Sequence, residues 1–320
     1  MSIVLPSGPA GARILSLGDY RPTRVVGNDE IARRVDTNDQ WIRERTGIIE
    51  RRIAGDSESV ADMATEAAAK ALAGSGLATA DIDLVIAATC SAQDRLPGIG
   101  TVVAGRLGLD APGAYDLNAA CAGFCYALAA AADAIRTGNA RHVLVIGAEK
   151  LSDITDWDDR ATCIIFADGA GAAVVGPADS PGIGPVAWGS DGGRNDTITC
   201  LGTDPYLRMA GPAVFRWATT SLAAVGRRAC ELAGLGTRDL DALILHQANL
   251  RILDSLVRSL DVRDKVIARD IVDTGNTSAA SIPMAMTRLK DRGEIASGDL
   301  ALLLAFGGGL TYAGQVVRIP

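Results

Sequence analysis

Aromatic residues are scarce in this chain of 320 residues: four Phe, five Tyr and four Trp amount to 4%. A core of stacked rings is thereby excluded, and burial must come from the aliphatic and alanine side chains that dominate its 48% hydrophobic content. Histidine is scarcer still, with only His142 and His246. Neither stands near a cysteine at ligand spacing, so the pattern supports no metal site, and no metal or other cofactor is expected. The six cysteines, at 90, 121, 125, 163, 200 and 230, form no CxxC pair and are expected to be free thiols. An excess of positive charge is also missing: 31 Lys and Arg against 38 Asp and Glu give a net charge of −7, which argues against a sequence-independent nucleic-acid binder. No apolar run approaches the roughly 18 residues that span a bilayer. The opening MSIVLPSGPAGAR lacks the basic start and apolar stretch of a secretory signal, so a cytoplasmic protein is expected.

What is present is an alternation of short aliphatic runs with alanine-rich stretches, the pattern of an α/β protein with buried strands. Strands are predicted at ARILSLG, DLVIAAT, VLVIGAE, GAAVVG, ALILHQA, LALLLAF and GQVVRI. Helices are predicted at SVADMATEAAAKALAGSG, CAGFCYALAAAADAIRTG, PAVFRWATTSLAAVGRRACELAG and SAASIPMAMTRLKDRG, each closing near a glycine. The chain also repeats itself. GLATADIDLVI at Gly76 matches GLGTRDLDALI at Gly234, Asn118 falls on Asn276, and VLVIGA at Val143 falls on ALLLAF at Ala301, always 158 positions apart. A fixed period of this kind signals a duplicated unit. The Pro- and Gly-rich GPADSPGIGP near 175–190 marks the connection, dividing the chain into residues 1–180 and 181–320.

Within DLNAACAGFCYAL, Phe124, Leu128, Ala132 and Ile135 follow the spacing of a buried helix face, and Cys121 sits in the first turn. Unpaired N–H groups and the positive end of the helix dipole there favour thiolate, so a depressed pKa is expected for Cys121, while Cys125, one turn on, reads as core. His246 of HQANLRI follows the strand LDALIL, at the carboxyl end where α/β sheets collect ligands; His142 precedes a strand, at the opposite end, and is expected at the surface. The repeat brings the turn holding Asn276 towards the same place as Cys121. AFGGGLTY, residues 305–312, supplies flexible glycines able to present N–H groups to an oxyanion.

AACAGF, HQANLRI, GNTSAASIP, the DGAGAAVV run at 168–175 and AFGGG, with the YRPTRVVGN opening, together resemble β-ketoacyl-acyl-carrier-protein synthase III of the thiolase-fold condensing enzymes. The resemblance spans nearly the whole chain. It implies an α/β thiolase-like fold of two pseudo-duplicated halves, layered α-β-α-β-α, with the nucleophilic cysteine in the first half and the His and Asn in the second. It carries the family's catalytic set onto Cys121, His246 and Asn276, and an oxyanion hole onto the N–H groups of Cys121 and Gly308. An acyl-CoA primer loaded on Cys121 and condensed with malonyl-acyl carrier protein, with loss of CO2, is the implied reaction. CoA would lie on Trp41, Arg45, Arg160, Asn249 and Arg251, carrier protein on Arg216, Arg251 and Arg258, and the acyl group against Leu96 and Phe215, in a homodimer.

Departures from the family pattern fall at Ala167, where glycine is usual, at LTYAG, and in a stretch from Trp188 to Met209 that is several residues shorter than is common. Leu96, smaller than the frequent aromatic, suggests room for more than acetyl. Rival readings are a priming ketosynthase or acyltransferase of a polyketide or other secondary pathway, a Cys-His-Asn thioester hydrolase, and a non-catalytic scaffold.

Overall fold

Short β-branched and aliphatic runs that are apolar on both faces form strands only where both faces are covered, and this requirement sets the architecture. The computed structural model describes residue 3 and residues 6–320. Its first sheet comprises β1 (Gly11–Tyr20), β2 (Leu84–Ala88), β3 (Gly113–Leu117), β4 (Val143–Lys150) and β5 (Asp168–Ala178). The second comprises β6 (Ala187–Ser190), β7 (Ala242–Leu245), β8 (Val266–Ile267), β9 (Leu300–Phe306) and β10 (Thr311–Arg318). The spatial orders are β1-β5-β4-β2-β3 and β6-β10-β9-β7-β8, so the second sheet repeats the first strand for strand. The register repeats as well: Leu84 pairs with Val143 as Ala242 pairs with Ala301.

Five longer helices complete the layers. The Ser59 hydroxyl and the Asp62 carboxylate cap one another's backbone at the start of α1 (Val60–Ser75), and Gly76 ends it in a left-handed conformation. This helix covers the outer face of the first sheet. Two further helices, α3 (Gly211–Leu232) and α4 (Leu250–Leu260), cover the outer face of the second. Between the sheets lie α2 (Gly123–Arg136) and α5 (Ser281–Asp291), whose buried residues join strands of both halves in one continuous core. The result is the expected α-β-α-β-α stack. Few aromatics are needed, because alanines on α1, α2 and the inner strands let backbones approach closely.

Both central helices begin the same way. A tight 3-10 turn, Ala120–Ala122 before α2 and Ser278–Ala280 before α5, starts with a residue at positive φ, +46° at Ala120 and +48° at Ser278. The side-chain oxygens of Asn118 and Asn276 accept the N–H groups of Ala120 and Ser278 at 3.1 and 2.9 Å. Neither helix has a side-chain N-cap. The regular helix thus opens at Gly123, two residues after Cys121. Phe124, Leu128, Ala132 and Ile135 are buried as expected, and so is Cys125.

The expectation of a surface position for His142 is corrected: only 9% of it is exposed, and its Nδ1 lies 3.0 Å from the Asp81 carbonyl oxygen. The amino end of the strand is covered by the 79–81 turn, which a strand-end rule does not anticipate. Sequence periodicity also passes over α4, the short helix Asp39–Thr46, and the two hairpins 24–27/50–53 and 198–201/204–209.

Gly147 on β4 shows how tightly the central layer sits. A methyl group there would come within 2.4 Å of the Ala279 carbonyl oxygen at the start of α5. Gly147→Ala is expected to push that turn away and to destabilise the protein by about 1–3 kcal/mol, the usual range for overpacking, as read by urea or thermal denaturation. An unchanged midpoint would contradict this packing.

Candidate active site

A cavity of about 1430 Å³ opens between the carboxyl ends of the strands and the starts of the two central helices. It exceeds the roughly 300–1,000 Å³ of ordinary small-molecule pockets, so there is room for a long ligand rather than a compact one. Cys121, His246, Asn276 and Gly308 line it together with Trp41, Arg45, Arg160, Asn249, Arg251, Arg216 and Phe215. His246 and Asn276 are buried, whereas Arg45, Arg160, Arg216 and Arg251 are exposed, which separates a floor from a basic rim. Two expected residues lie elsewhere. Arg258 is exposed on α4, two turns beyond Arg251, and Leu96 is 88% exposed on the segment before residue 99.

The thiol of Cys121 faces this cavity, but its ionisation differs from the expectation of a depressed pKa. Burial pushes it up to about 12; the Ser278 hydroxyl acts in the opposite direction, and the Glu149 carboxylate adds to the rise. The physical reason for the correction is that Cys121 lies in the turn preceding α2, in apolar surroundings with a buried carboxyl group near it. Desolvation there exceeds what a helix start contributes.

His246 ends β7 with its N–H bonded to the Leu304 carbonyl of β9. Burial lowers its pKa to about 3, so the imidazole is neutral at physiological pH. The Ser281 hydroxyl lies 2.8 Å from Nδ1 and also accepts the Gln247 N–H at 3.3 Å. In the tautomer in which Ser281 donates to Nδ1, the proton of the neutral ring stands on Nε2. The edge of the imidazole rests on Phe306, with ring centroids 5.6 Å apart.

Asn276 is held by its backbone, through Asn276 N–H to Ile165 O at 3.0 Å and Ala167 N–H to Asn276 O at 2.9 Å. Its Oδ1 is engaged by the Ser278 N–H, leaving Nδ2 as a donor. Ala167, where glycine is usual in the family resembled, therefore takes part in this backbone pairing. In the glycine run, the Gly307 N–H is occupied by the Thr311 carbonyl, and a Cβ on Gly307 would lie 2.6 Å from the Cys121 nitrogen. Only glycine permits that approach, which brings the glycine run beside the nucleophile, with Gly308 in the lining of the same cavity. The LTYAG ending puts the Thr311 hydroxyl 3.0 Å from Tyr126 Oη.

At the rim, the guanidinium groups of Arg45 and Arg160 lie 5.4 and 5.0 Å from the Trp41 ring centroid, and Arg251 lies 5.1 Å from that of Phe215. Planar cations against aromatic faces suit a nucleobase with phosphates. Asn249 has a structural assignment in addition: it caps α4 through the Arg251 N–H and donates to the Arg45 carbonyl at 2.9 Å. The short hairpin 198–201/204–209 supplies Ile198, Thr199, Cys200, Leu207 and Met209 to one wall.

Sequence reasoning did not single out Glu149, Ser278, Ser281 or Cys90. Ser278 had a signal available, since the repeat sets it opposite Ala120, the residue before the nucleophile. Glu149 offered one too, as a carboxylate closing an otherwise apolar strand. Among the described residues, no cluster of His, Cys, Asp and Glu is placed to hold a metal ion, and no helix is long and apolar enough to cross a membrane.

Comparison with known proteins agrees with this geometry. The profile of 3-oxoacyl-[acyl-carrier-protein] synthase III matches residues 115–192, and that of its C-terminal region matches residues 230–319. The chain is 53% identical to β-ketoacyl-[acyl-carrier-protein] synthase III 4 of Streptomyces coelicolor, covering 97% of this chain and 99% of that one. It is 48% identical to β-ketoacyl-[acyl-carrier-protein] synthase III of Streptomyces glaucescens over the full length of both. Among solved structures it superposes on the priming β-ketosynthase of the R1128 polyketide pathway with a TM-score of 0.97 and 43% identity, covering 100% of this chain and 99% of that one. The synthase III of Aquifex aeolicus gives 0.93 and 40%, covering 96% and 100%. The sheet order, the duplicated halves and these full-length likenesses lead to one conclusion: the chain belongs to the β-ketoacyl-acyl-carrier-protein synthase III family of acyl-transferring, thiolase-fold condensing enzymes.

Proposed function

We propose that this chain loads an acyl-CoA primer on Cys121 and condenses it with malonyl-acyl carrier protein, releasing CO2, to initiate fatty-acid synthesis. The observation that carries this reading is the single cavity, with Cys121, His246, Asn276 and Gly308 together and Trp41, Arg45, Arg160 and Arg251 at its rim. Residues 1–180 supply the nucleophile and residues 181–320 the two donors. Attack of the Cys121 sulfur on the thioester carbon expels CoA, the oxyanion being met by the N–H groups of Cys121 and Gly308. Malonyl-carrier protein then occupies the same channel. His246 Nε2–H and Asn276 Nδ2–H donate to its thioester oxygen, stabilising the enolate left by loss of CO2, which attacks the acyl-cysteine. A neutral imidazole serves as donor without any proton transfer. No metal or other cofactor is assigned a part.

The rim arginines give an otherwise acidic chain a local positive mouth, which accounts for recognition of CoA phosphates and of an acidic carrier protein. Arg216 and Arg251 stand at the cavity, and Arg258 extends the patch along α4. A homodimer is supported by the edge strand β3, where Tyr115 is 42% exposed, and by Leu96, 88% exposed on the segment before residue 99. In the dimer Leu96 would close the partner's acyl pocket, while Phe215 lines its own cavity. Free cysteines throughout the described residues fit a reducing, cytoplasmic setting. A second reading, polyketide priming with a primer longer than acetyl, is favoured by the size of the cavity and by the likeness to the R1128 priming ketosynthase.

Incubation with acetyl-, branched- and longer-chain acyl-CoA is expected to add the corresponding acyl mass to the peptide containing Cys121, with none on Cys121→Ala; mass spectrometry reads both, and the preferred acyl length separates the two readings. An unmodified wild-type protein would refute the mechanism. His246→Ala and Asn276→Ala are expected to acylate normally while decarboxylation of malonyl-carrier protein falls about 10²–10³-fold, the usual cost of an oxyanion donor. Because His246 gains its proton only as pH falls towards about 3, wild-type decarboxylation should show no histidine ionisation between pH 5 and 8. Trp41→Ala should raise the KM for acyl-CoA about fivefold to tenfold, the worth of a desolvated cation–π and stacking contact, with kcat unchanged in steady-state assays.

A further inference from the structure

One arginine lies where arginines are seldom found. Arg51, on the second strand of the hairpin 24–27/50–53, is fully buried, and its guanidinium makes four hydrogen bonds, all to neutral oxygens. Nη1 donates to the Val26 carbonyl at 3.2 Å, Nη1 and Nη2 both donate to Asn28 Oδ1 at 3.0 Å, and Nη2 donates to the Ile164 carbonyl at 2.8 Å. Nε finds no partner among the described residues. Burial lowers the pKa to about 10, so the group is still a cation at neutral pH. A buried cation held by neutral groups alone is costly, and an apolar side chain of similar volume would fill the same space at less cost. What the charged fork holds in place is therefore the question.

Three pieces of chain meet on it. Asn28 donates in turn to the Ile48 carbonyl and to Asp39, the first residue of the helix Asp39–Thr46 that bears Trp41 and Arg45. Ile164 opens the stretch 164–167, which belongs to none of the helices or strands and whose Ile164, Ile165 and Phe166 form part of the cavity wall. That stretch grips Asn276: the Ile165 carbonyl accepts the Asn276 N–H, the Ala167 N–H donates to the Asn276 carbonyl, and Phe166 pairs with Asn276 as an isolated parallel bridge. Gly275, at φ +77°, is crowded from the same side, since a methyl group there would stand 2.9 Å from the Arg51 Cβ and 2.8 Å from that of Ala167. Arg51 thus meets the neighbours of Asn276 twice, at the carbonyl preceding that of Ile165 and at Gly275.

We infer that Arg51 is a positioning residue for Asn276, fixing from behind the cavity wall the direction in which Asn276 Nδ2–H is presented to the malonyl thioester oxygen. This deepens the proposed function and rests on the part given there to Asn276. The side-chain oxygen of Asn276 is already engaged by the Ser278 N–H, so the direction of Nδ2 follows the backbone. Direction matters because a donor to a developing oxyanion acts only near its ideal geometry, and a misplacement of about 1 Å can cost about 10²-fold. A stretch without regular structure does not supply that accuracy by itself. A planar guanidinium bridging Asn28 and Ile164 does, because its donors leave at fixed angles. Lysine would offer a point charge and methionine only volume. Since loading of the primer on Cys121 does not use Asn276, Arg51 bears on the second half-reaction alone.

Arg51→Lys and Arg51→Met in the full chain, with folding checked by thermal denaturation, test this by measuring the two half-reactions separately. Acylation of Cys121 at saturating acetyl-CoA, followed by mass spectrometry, should stay within about twofold of wild type. CO2 release from malonyl-carrier protein should fall about 10-fold to 100-fold, less in the lysine variant than in the methionine one. Placed on the Asn276→Ala background, either substitution should slow CO2 release no more than about twofold further, because the donor it orients is already gone. Asn28→Ala, which removes the acceptor shared by both guanidinium nitrogens, should show the same selective loss, at least about fivefold, and provides the readout if neither Arg51 variant folds. Wild-type CO2 release in a folded variant, an equal loss in both half-reactions, or a full multiplicative loss on the Asn276→Ala background would overturn the inference. Wild-type CO2 release by Asn276→Ala itself would instead overturn the proposed function.

Discussion

The site depends on one constraint: two helices that lie between the sheets must begin at the same point, each from a turn with a residue at positive φ. Ala120 and Ser278 carry that strain, and Asn118 and Asn276 secure it by accepting the N–H two residues on. Strain of order 1–3 kcal/mol per residue persists only where surrounding structure over-determines it. Here the close contact of Gly147 with Ala279 and of Gly307 with Cys121 leaves the turns nowhere else to go. Both helices also lack side-chain caps, so their first turns remain available to the cavity. The same geometry that fixes the nucleophile therefore fixes the amide that faces it.

Low dielectric then decides which groups are charged. Burial keeps His246 neutral and the Cys121 thiol protonated at rest; it also raises the pKa of Glu149, which hydrogen bonds from Ser91, Cys90 and Ser278 act to lower. A floor with a buried carboxyl group and a neutral imidazole contrasts with a rim of solvated arginines. Substrate phosphates are met at the rim in water, and the thioester is met at the floor out of it. Each interaction thus operates where it is strongest: screened charges gather the ligand, and unscreened dipoles act on the reacting oxygen.

Much of this was legible in the sequence because it is periodic. The 158-residue repeat foretold two equal sheets, and the structure repeats strand order, register and even the strained turns at that spacing. Cys121, His246 and Asn276 were legible for the same reason, each standing at a strand end or helix start. What escaped was set by long-range proximity. The ionisation of Cys121 is set first by its burial and then by Glu149, 28 positions away, so local helix-start reasoning gave the wrong direction. His142 was misplaced because a neighbouring turn covers it. The hairpin wall at 198–209 and the helix Asp39–Thr46 bearing Trp41 carry little hydrophobic periodicity, being shaped by what they face rather than by a core.

The duplicated architecture has an evolutionary corollary. The counterpart of Cys121 is Ala279, and the counterpart of His246 is Ala88. Ala88 lies against Gly123, so close that a methyl group on Gly123 would stand 2.9 Å from the Ala88 side chain, and Ala279 is wedged over Gly147. A larger side chain in place of Ala88 would meet Gly123, at the start of α2 in the same half. The small residue at position 88 is what leaves room for α2 to start there, with Cys121 two residues before it.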